Sequence, residues 1–454
     1  MFKVSELLKA AKGRLLNGNS SAVVKGISID SRTVKPQEAF IAIKGRNYDG
    51  SNFIGEAIRK GAKAVIACGR DPIIGSFKKI PFIVVGDTTK ALGDIAGYHR
   101  RNFDIPVIAV TGSNGKTTTK EMIARVLSGQ FKVLKNSGTE NNQIGLPLTL
   151  LNLDSSHKLA VLEIGTNHFG EVDYLAKICR PNIGVITNIG PAHLEYFTSL
   201  KGVLEEKNAL LKHLESPRVA VLNADDNLLR KQVLSKSGKP VVLGFGIKRR
   251  ADFSATGIKA SGGRVNFLVN RKYKFTLKTP GTHNIYNALA ALTVGRLFGM
   301  EYKDISSKLS AFDFPRNRLE FLKLNNTVFI NDAYNSNPAS LGLAIEALGC
   351  FQVKGRKIIV MGDMLELGSR GRLFHRQAGR QAARICDVFI TVGELSKFAA
   401  EVASISGLGA KNVFACASNL EAQDILFRKV SPGPDDVVLI KGSRSMRMED
   451  ILRR

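Results

Sequence analysis

The stretch Val110-Thr111-Gly112-Ser113-Asn114-Gly115-Lys116-Thr117-Thr118 decides the fold of the central part of the chain. It follows the apolar run Ile105–Val110 and precedes a segment whose apolar residues recur at helical spacing over 122–127. A strand, a glycine-rich turn and a helix in this order are typical of a phosphate-binding loop, because glycines let the backbone wrap an anion and the helix N-terminus adds unpaired N–H donors. The spacing departs from GxxxxGK, which requires glycine where this chain has Val110.

This pattern predicts ATP binding, and the alternative is a glycine-rich turn without a ligand. We expect Lys116 to contact the terminal phosphates and the Thr117 hydroxyl to face Mg²⁺. The predicted loop residues are Gly112, Ser113, Asn114, Gly115, Lys116, Thr117 and Thr118.

Further short apolar runs follow the loop, near residues 160, 185 and 220, and helical segments separate them. Buried parallel strands covered by helices give this pattern. A second series of the same kind follows a linker at Phe312–Pro315. The fold class predicted is α/β with three domains: a small mixed α/β domain (1–103), a central P-loop ATPase-like parallel sheet domain (104–314) and a C-terminal Rossmann-like domain (315–454).

Composition excludes several classes of protein. The chain has 454 residues, of which 44% are hydrophobic and 23% charged, as in a soluble multidomain protein. No apolar stretch approaches the ~18 residues of a membrane span, and the N-terminus lacks the apolar core of a secretory signal, so we predict a cytoplasmic location. The five cysteines are far apart and form no CxxC pair, which argues against disulfides and structural zinc and predicts buried free thiols.

The charge balance is unusual, since 66 Lys and Arg residues face 39 Asp and Glu residues, a formal net charge of +27. Such a field attracts polyanions. However, the basic residues are spread along the chain, and no basic run is interleaved with aromatic residues. We therefore expect no specific nucleic-acid partner, although a nucleic-acid-dependent P-loop ATPase remains the rival from another class.

Polar residues follow several of the predicted strands. Glu163 ends one apolar run, where a carboxylate faces the ligand crevice and can bind Mg²⁺, or is merely solvated. His193 follows the next run and either reaches the crevice or is structural. For Lys207, periodicity alone gives only an ordinary surface lysine. The polar segment 331–338 suits a sugar or a phosphate, and also suits a turn and a helix cap in which Asn337 precedes Pro338.

Taken together, these segments resemble the Mur ligase family, which uses ATP to form amide bonds in peptidoglycan precursors. Within it, the chain is most similar to the branch that joins D-alanyl-D-alanine to UDP-N-acetylmuramoyl-tripeptide. A sister amide ligase, with another amino-acid acceptor or in folylpolyglutamate synthesis, is the alternative because it shares the ATP loop. The resemblance covers nearly the whole chain and is carried by the segments 111–118, 139–151, 332–338, 361–368 and 441–447.

The resemblance implies ATP and Mg²⁺ as cofactors, the two small-molecule substrates just named, and a monomer. It implies catalytic roles for Lys116, His193, Lys207 and Arg318, and metal ligation by Thr117, Glu163, His193 and Lys207 as its carbamate. Further nucleotide contacts implied are Asn284, Asn287, Arg318 and Asp332. Substrate contacts implied are Asp30, Ser31, Arg32, Thr139, Asn141, Asn142, Asn335, Asn337 and Lys441. The chain departs from the family pattern at Asn317, Asn331 and Ser336, where glycine, aspartate and alanine are usual.

Overall fold

The structure is a computed structural model that describes residues 1–45, 48–69, 77–235, 238, 240–261, 263–279 and 281–453. It has a mixed α/β fold with three larger sheets, as the sequence predicts. Among the described residues, no helix combines the length and the apolar character needed to cross a membrane.

The N-terminal sheet has the order β2-β7-β6-β5-β4 within the described residues, and it is parallel except for β2, which runs antiparallel to β7. A small ribbon pairs β1 with β3. The elements are β1 (Phe2–Lys3), α1 (Val4–Ala11), β2 (Arg14–Asn17), β3 (Val23–Val24), β4 (Gly26–Ser28), β5 (Glu38–Ile41), α2 (Ile54–Arg59), β6 (Ala64–Cys68), β7 (Phe82–Val85) and α3 (Thr88–Arg100).

The central sheet has the order β16-β15-β14-β13-β12-β11-β8-β10-β9 in the part of the chain that the structure describes. Its elements are β8 (Val107–Thr111), α4 (Lys116–Leu127), β9 (Val133–Lys135), α5 (Gly145–Leu150), β10 (Leu159–Glu163), α6 (Glu171–Cys179), β11 (Ile183–Ile186), α7 (Leu194–Phe197), α8 (Leu200–Lys212), β12 (Val219–Asn223), α9 (Arg230–Ser235), β13 (Val241–Gly246), β14 (Phe253–Ser261), β15 (Arg264–Val269), β16 (Tyr273–Leu277), α10 (His283–Leu297) and α11 (Tyr302–Ser310).

Strand β8 contributes side chains to the apolar cores on both faces of the central sheet. Ile108 and Val110 point into one apolar core with α4 and α10, whereas Val107 and Ala109 point into another with α3, α6 and α8. This alternation follows from the two-residue period of a strand. Every pair in the order β9-β10-β8-β11-β12-β13-β14 is parallel, whereas the pairs β14–β15 and β15–β16 are antiparallel and form a meander that the apolar runs did not predict.

The C-terminal sheet has the order β17-β18-β22-β19-β20-β21 among the described residues, and all of its pairs are parallel except β17 with β18. As predicted, Asn337 caps helix α12 and Pro338 is its first residue. The elements are β17 (Glu320–Leu324), β18 (Thr327–Asn331), α12 (Pro338–Gly349), β19 (Lys357–Gly362), α13 (Gly371–Ala383), β20 (Val388–Val392), α14 (Lys397–Ala403), β21 (Val413–Cys416), α15 (Asn419–Asp424) and β22 (Val437–Lys441).

The five cysteines are free thiols, but the prediction that all are buried is wrong. Cys179, Cys386 and Cys416 are buried, whereas Cys68 and Cys350 are exposed. Cys68 is the last residue of β6, and Cys350 directly follows the last residue of α12. Both therefore lie at the end of a largely buried element, where the chain emerges at the surface.

Candidate functional site

The loop 112–115 joins the carboxyl end of β8 to α4, which begins at Lys116. Gly112 has φ +144°, and a Cβ there would lie 1.9 Å from the Thr187 hydroxyl oxygen. Gly115 has φ +79°, and a Cβ would lie 2.5 Å from Asn287 Oδ1. Both positions therefore require glycine, because they combine a left-handed backbone with a close neighbour.

Hydrogen bonds tie this loop to the segment that follows β11. The Ser113 hydroxyl donates to the Gly190 carbonyl (3.0 Å), and the Asn114 amide donates to Asn188 Oδ1 (3.0 Å). The Lys116 ammonium donates to the carbonyl oxygens of Gly112 (2.9 Å) and Ser113 (3.4 Å). Burial lowers the pKa of Lys116. These hydrogen bonds fix the conformation of the loop.

A buried carboxylate lies beside the loop. Glu163 is 1% exposed at the end of β10, and it accepts hydrogen bonds from the Thr117 hydroxyl (2.7 Å) and from Asn141 Nδ2 (2.6 Å). The Arg318 guanidinium, from the C-terminal sheet domain, donates to the Thr117 hydroxyl oxygen (2.9 Å). Neutral donors alone contact the Glu163 carboxylate among the described residues, so its negative charge is available to a cation in the cleft.

These residues line one cleft of about 1180 Å³, including its open mouth, between the central and C-terminal sheets. The predicted residues that line it are Ser113, Asn114, Gly115, Lys116, Thr117, Thr118, Thr139, Asn141, Glu163, His193, Asn284, Asn287, Arg318, Asp332, Asn335, Asn337 and Lys441. Residues that line it without having been predicted include Gly165, Thr166, Asn167, His283, Phe314, Tyr334 and Ser340.

The C-terminal wall of the cleft carries a buried ion pair. Lys441 is 2% exposed, and its ammonium lies 2.5 Å from an Asp332 carboxylate oxygen and 2.9 Å from the Asn335 carbonyl oxygen. The Arg318 guanidinium stacks over the Tyr334 ring, 4.0 Å from its centroid. Asn337 Nδ2 donates to Asn114 Oδ1 (2.8 Å) and so links α12 to the phosphate loop.

The departures from the family pattern lie close to this wall. Two of them contact each other, since Asn331 Nδ2 donates to Asn317 Oδ1 (2.8 Å). Asn317 has φ +58°, a left-handed conformation that asparagine tolerates better than most residues. The hydroxyl oxygen of Ser336 is buried and has no hydrogen-bond partner among the described residues.

The two predicted asparagines of α10 form a buried chain. Asn287 Nδ2 donates to Asn284 Oδ1 (3.0 Å), and Asn284 Nδ2 donates to the Thr279 hydroxyl (3.0 Å). The Thr119 hydroxyl donates to Asn287 Oδ1 (3.1 Å), which ties α10 to α4. These hydrogen bonds hold the two amides in place, and both asparagines also line the cleft.

His193 and Lys207 approach the cleft differently. His193 lines it, and its Nδ1 lies 2.5 Å from a Glu366 carboxylate oxygen. Lys207 lies on α8, is 2% exposed and does not line the cleft. Burial first, and then the nearby Lys116 charge, lower the pKa of Lys207 to about 7. No hydrogen-bond or ion-pair partner of its ammonium occurs in the described ranges. The interpretation of Lys207 as a surface lysine is therefore wrong.

Several predicted residues lie away from the cleft lining. Asn142 Oδ1 accepts from the backbone amides at the start of α5. In the N-terminal domain, the Asp30 carboxylate pairs with Arg32 (2.7 Å), and the Ser31 hydroxyl donates to Glu56 (2.9 Å). The Arg32 hydrogen bonds lower the pKa of Asp30 to about 2. Gly112 does not line the cleft either, and it packs closely against Thr187.

The donors around Glu163 fit Mg²⁺. A hydroxyl, a carboxylate and amide oxygens are the ligands that this ion prefers, and it usually keeps several waters. No group of three or more His, Cys, Asp or Glu side chains that would hold a metal alone occurs in the part of the chain described. The site therefore suits an ion shared with phosphate oxygens and water rather than a cage of protein ligands.

Comparison with known proteins agrees with this arrangement. Three domain families match: the Mur ligase family catalytic domain over residues 23–100, the Mur ligase middle domain over 110–295, and the Mur ligase glutamate ligase domain over 317–444. The UDP-N-acetylmuramoyl-tripeptide–D-alanyl-D-alanine ligase of Buchnera aphidicola subsp. Baizongia pistaciae is 36% identical, over 96% of this chain and 93% of that protein. The Bacillus subtilis ligase of the same name is 33% identical, over 99% and 97%.

The chain belongs to the Mur ligase family. Solved structures show the same fold. MurF from Acinetobacter baumannii superposes with a TM-score of 0.88 at 31% identity, covering 99% of this chain and 98% of that one. MurF from Thermotoga maritima in complex with ADP gives a TM-score of 0.83 at 28% identity, covering 95% and 96%. The predicted family and fold are confirmed, whereas the domain boundaries and the roles of the site residues stay predictions.

Among the residues that sequence reasoning missed, Tyr334 lines the cleft and stacks on Arg318, and Glu366 contacts His193. Tyr334 and Glu366 both lie inside segments that carry the family resemblance, 332–338 and 361–368. An aromatic residue two positions after Asp332 was the available signal for Tyr334. For Glu366 there was none, because its partner His193 is 173 residues away in sequence.

Proposed function

We propose that this protein joins D-alanyl-D-alanine to UDP-N-acetylmuramoyl-tripeptide, with ATP converted to ADP and phosphate. The observation that carries the proposal is the full-length similarity, at 36% and 33% identity, to two ligases named for this reaction. The cleft supports it, because a phosphate-binding loop, a buried carboxylate and a cationic wall converge there.

In the first step, the terminal carboxylate of the tripeptide attacks the γ-phosphorus of ATP, so that an acyl phosphate forms and ADP leaves. This step brings anions together, and neutralising their charge is the main task of the protein. Lys116 reaches the phosphates from the loop once it leaves the carbonyls of Gly112 and Ser113. Arg318, held over Tyr334, approaches from the opposite wall.

In the second step, the amine of D-alanyl-D-alanine attacks the acyl carbon, phosphate leaves and the amine nitrogen loses a proton. Water would hydrolyse the acyl phosphate, so the cleft must exclude it. The C-terminal wall contributes to closure through the contacts of Arg318 with Thr117 and of Asn337 with Asn114.

We propose Mg²⁺ as the cofactor, with Thr117, Glu163, His193 and a carbamate on Lys207 as the residues that hold it. When bound, the ion would neutralise the phosphate charge and orient the γ-phosphate. Lys207 suits carbamate formation, because a pKa of about 7 leaves much of its amine neutral at physiological pH. The neutral amine adds to CO₂ and loses one proton, so an anionic carbamate replaces the neutral amine.

The remaining assignments follow the family resemblance. We propose that Asp30, Ser31 and Arg32 contact the uridine nucleotide, that Asn284 and Asn287 lie beside the adenine, and that Asp332 binds the ribose. Thr139, Asn141, Asn142, Asn335, Asn337 and Lys441 are proposed to contact the substrates. A cytoplasmic location and a monomeric state belong to the same proposal.

The deciding experiment measures phosphate release from ATP and Mg²⁺ with each substrate alone and with both, while the product mass is read from the same tube. We expect release only with both substrates, and a product whose mass is that of the pentapeptide precursor. Release with folate and glutamate would favour a sister ligase. Release that requires RNA or DNA, and that falls steeply with salt, would instead favour the nucleic-acid ATPase suggested by the +27 charge.

A further inference from the structure

A carboxylate from the C-terminal domain contacts the histidine of the cleft. Glu366 lies in the loop between β19 and α13, and its carboxylate oxygen is 2.5 Å from His193 Nδ1. The backbone forms a second link, since the Glu195 amide donates to the Glu366 carbonyl (3.2 Å). The histidine belongs to the central domain, so this pair spans the boundary between the two domains that form the cleft.

The loop that carries Glu366 is held in place by its own domain. The Leu365 amide donates to the Ser443 hydroxyl (2.8 Å), and the Met364 amide donates to His375 Nε2 (3.0 Å). On either side of Glu366, Leu365 is 38% exposed whereas Leu367 is buried in the core at 3%. Glu366 itself has φ +61°. Because the loop is constrained, the position of the Glu366 carboxylate is fixed, and its hydrogen bond orients the His193 ring.

The contact determines which nitrogen of His193 faces the cleft. An ionised carboxylate only accepts hydrogen bonds, so Nδ1 carries a proton, and in the neutral form of the ring Nε2 is then the nitrogen with the lone pair. No partner of Nε2 occurs among the described residues, and the ring lines the cleft. Metal-binding histidines commonly donate their second ring N–H to a carboxylate, which fixes both the tautomer and the orientation of the ring.

We propose that Glu366 is a positioning residue that holds His193 with Nε2 toward the metal–nucleotide site, and that it does so only when the C-terminal domain is docked. The inference rests on the proposed function, because it needs a metal–nucleotide complex in the cleft. Under this proposal, the C-terminal domain completes the metal site of the central domain through a contact with the metal-binding histidine, in addition to its proposed contacts with the nucleotide.

The test compares Glu366→Ala, Glu366→Gln and the control Glu394→Ala, whose carboxylate pairs with Lys397 on the surface of the same domain. Mn²⁺ binding to the full-length protein with a non-hydrolysable ATP analogue is measured by electron paramagnetic resonance, without turnover. We expect Glu366→Ala to weaken Mn²⁺ binding about 10-fold or more, as for other partners of metal-ligating histidines. Glu366→Gln, whose amide oxygen still accepts from Nδ1, should recover most of the affinity.

Two further readouts separate positioning from mere domain contact. The Mg²⁺ concentration for half-maximal rate should rise in Glu366→Ala, while the KM for D-alanyl-D-alanine stays within about twofold. Nitrogen NMR of protein labelled at its seven histidines should show one His193 tautomer in the wild type and a mixture in Glu366→Ala.

Equal Mn²⁺ affinity in Glu366→Ala and wild type would overturn the proposal, as would equal losses in the alanine and glutamine variants. Absence of Mn²⁺ binding by the wild type would overturn it too. Product formation is assayed with ATP on separate aliquots of the same protein preparations, so the failure of this inference is distinguishable from failure of the proposed ligase reaction.

Discussion

The Thr117 hydroxyl lies where the two walls of the cleft meet. It donates to Glu163 and accepts from Arg318, so a single hydroxyl group connects the phosphate loop, the buried carboxylate and the C-terminal domain. Binding of a cation at Glu163 would have to displace or share this hydrogen bond. Around Thr117, protein groups therefore satisfy one another's hydrogen-bonding capacity.

Lys116 tests the assignment of the phosphate loop at the level of one side chain. Lys116→Ala should lower the ligation rate by at least about 100-fold, because it removes a cation aimed at developing phosphate charge. Phosphate release measures the rate, and circular dichroism checks that the fold persists. Lys90→Ala, which removes a surface ion pair with Asp94, is the matched control. A rate near that of the wild type in Lys116→Ala would refute the assignment.

His375 makes the stability of the protein depend on pH. It is fully buried, its Nδ1 donates to the Gly371 carbonyl (2.7 Å), and its Nε2 accepts from the Met364 amide, so it is held neutral. Burial lowers its pKa below the ordinary 6.5. Below pH 6.5 the unfolded chain therefore binds a proton that the folded protein resists, and the stability present above that pH is lost as the pH falls.

We expect His375→Gln to flatten this acid loss, because glutamine can make both hydrogen bonds but does not bind the proton. The slope of the unfolding free energy against pH should fall by at most about 1.4 kcal/mol per pH unit below pH 6.5. Urea unfolding at a series of pH values measures it. His168→Gln, at an exposed position, is the control. Parallel curves for wild type and His375→Gln would contradict the prediction.

At the scale of elements, the residue that caps helix α12 combines a structural and a functional contact. Asn337 Oδ1 accepts from the Ser340 amide (2.9 Å) as the helix cap, while its Nδ2 donates to Asn114 in the phosphate loop (2.8 Å). The two contacts use different atoms of one amide. Substitutions can therefore separate the stability of the helix from the docking of the loop.

Asn337→Ser keeps a capping oxygen but loses the donor to Asn114. We expect its unfolding free energy to stay within a few tenths of a kcal/mol of the wild type, and its KM for ATP to rise roughly 3- to 10-fold, the equivalent of one hydrogen bond. Asn337→Ala should lose about 1 kcal/mol of stability as well. Thermal unfolding and initial rates at varied ATP measure both. An unchanged KM in both variants would show that the contact with Asn114 does not assist ATP binding.

The elements that the sequence predicted are those with local signals. The unit of β8, loop and α4 follows from an apolar run, glycines and helical spacing within about twenty residues, and the start of α12 follows from Asn337-Pro338. The meander of β14, β15 and β16 was missed because strands were predicted from continuous apolar runs alone, whereas these strands alternate exposed and buried residues, which is the local signal of a half-buried strand.

Contacts between domains could not be predicted for a different reason. The pairs of His193 with Glu366 and of Arg318 with Thr117 are 173 and 201 residues apart. No local pattern encodes such a pairing, because it depends on how two folded domains pack. Burial is equally non-local: the periodicity of α8 alone indicated a surface lysine at Lys207, whereas the structure shows that α8 turns this residue inward.

At the scale of the whole molecule, the C-terminal domain has hydrophobic cores of its own, as an independently folding unit does. The two apolar cores on either face of its sheet consist of residues between Leu319 and Leu452. Its links to the central domain at the cleft are mainly polar, through Arg318, Asn337 and Glu366. Such interfaces between domains are typical of units that move relative to each other.

We therefore expect a fragment of residues 315–454 to fold alone, with a cooperative thermal transition and an unfolding free energy of about 5 kcal/mol or more. A shorter fragment, 332–454, is the matched control, because it lacks β17 and β18 and with them Leu319, Phe329 and Ile330 of the two cores. It should not show a cooperative transition. Circular dichroism and dispersed amide NMR spectra distinguish the two results. A fragment 315–454 that aggregates or melts without cooperativity would mean that the polar contacts at the cleft are needed to fold the C-terminal domain as well as to close it over ATP.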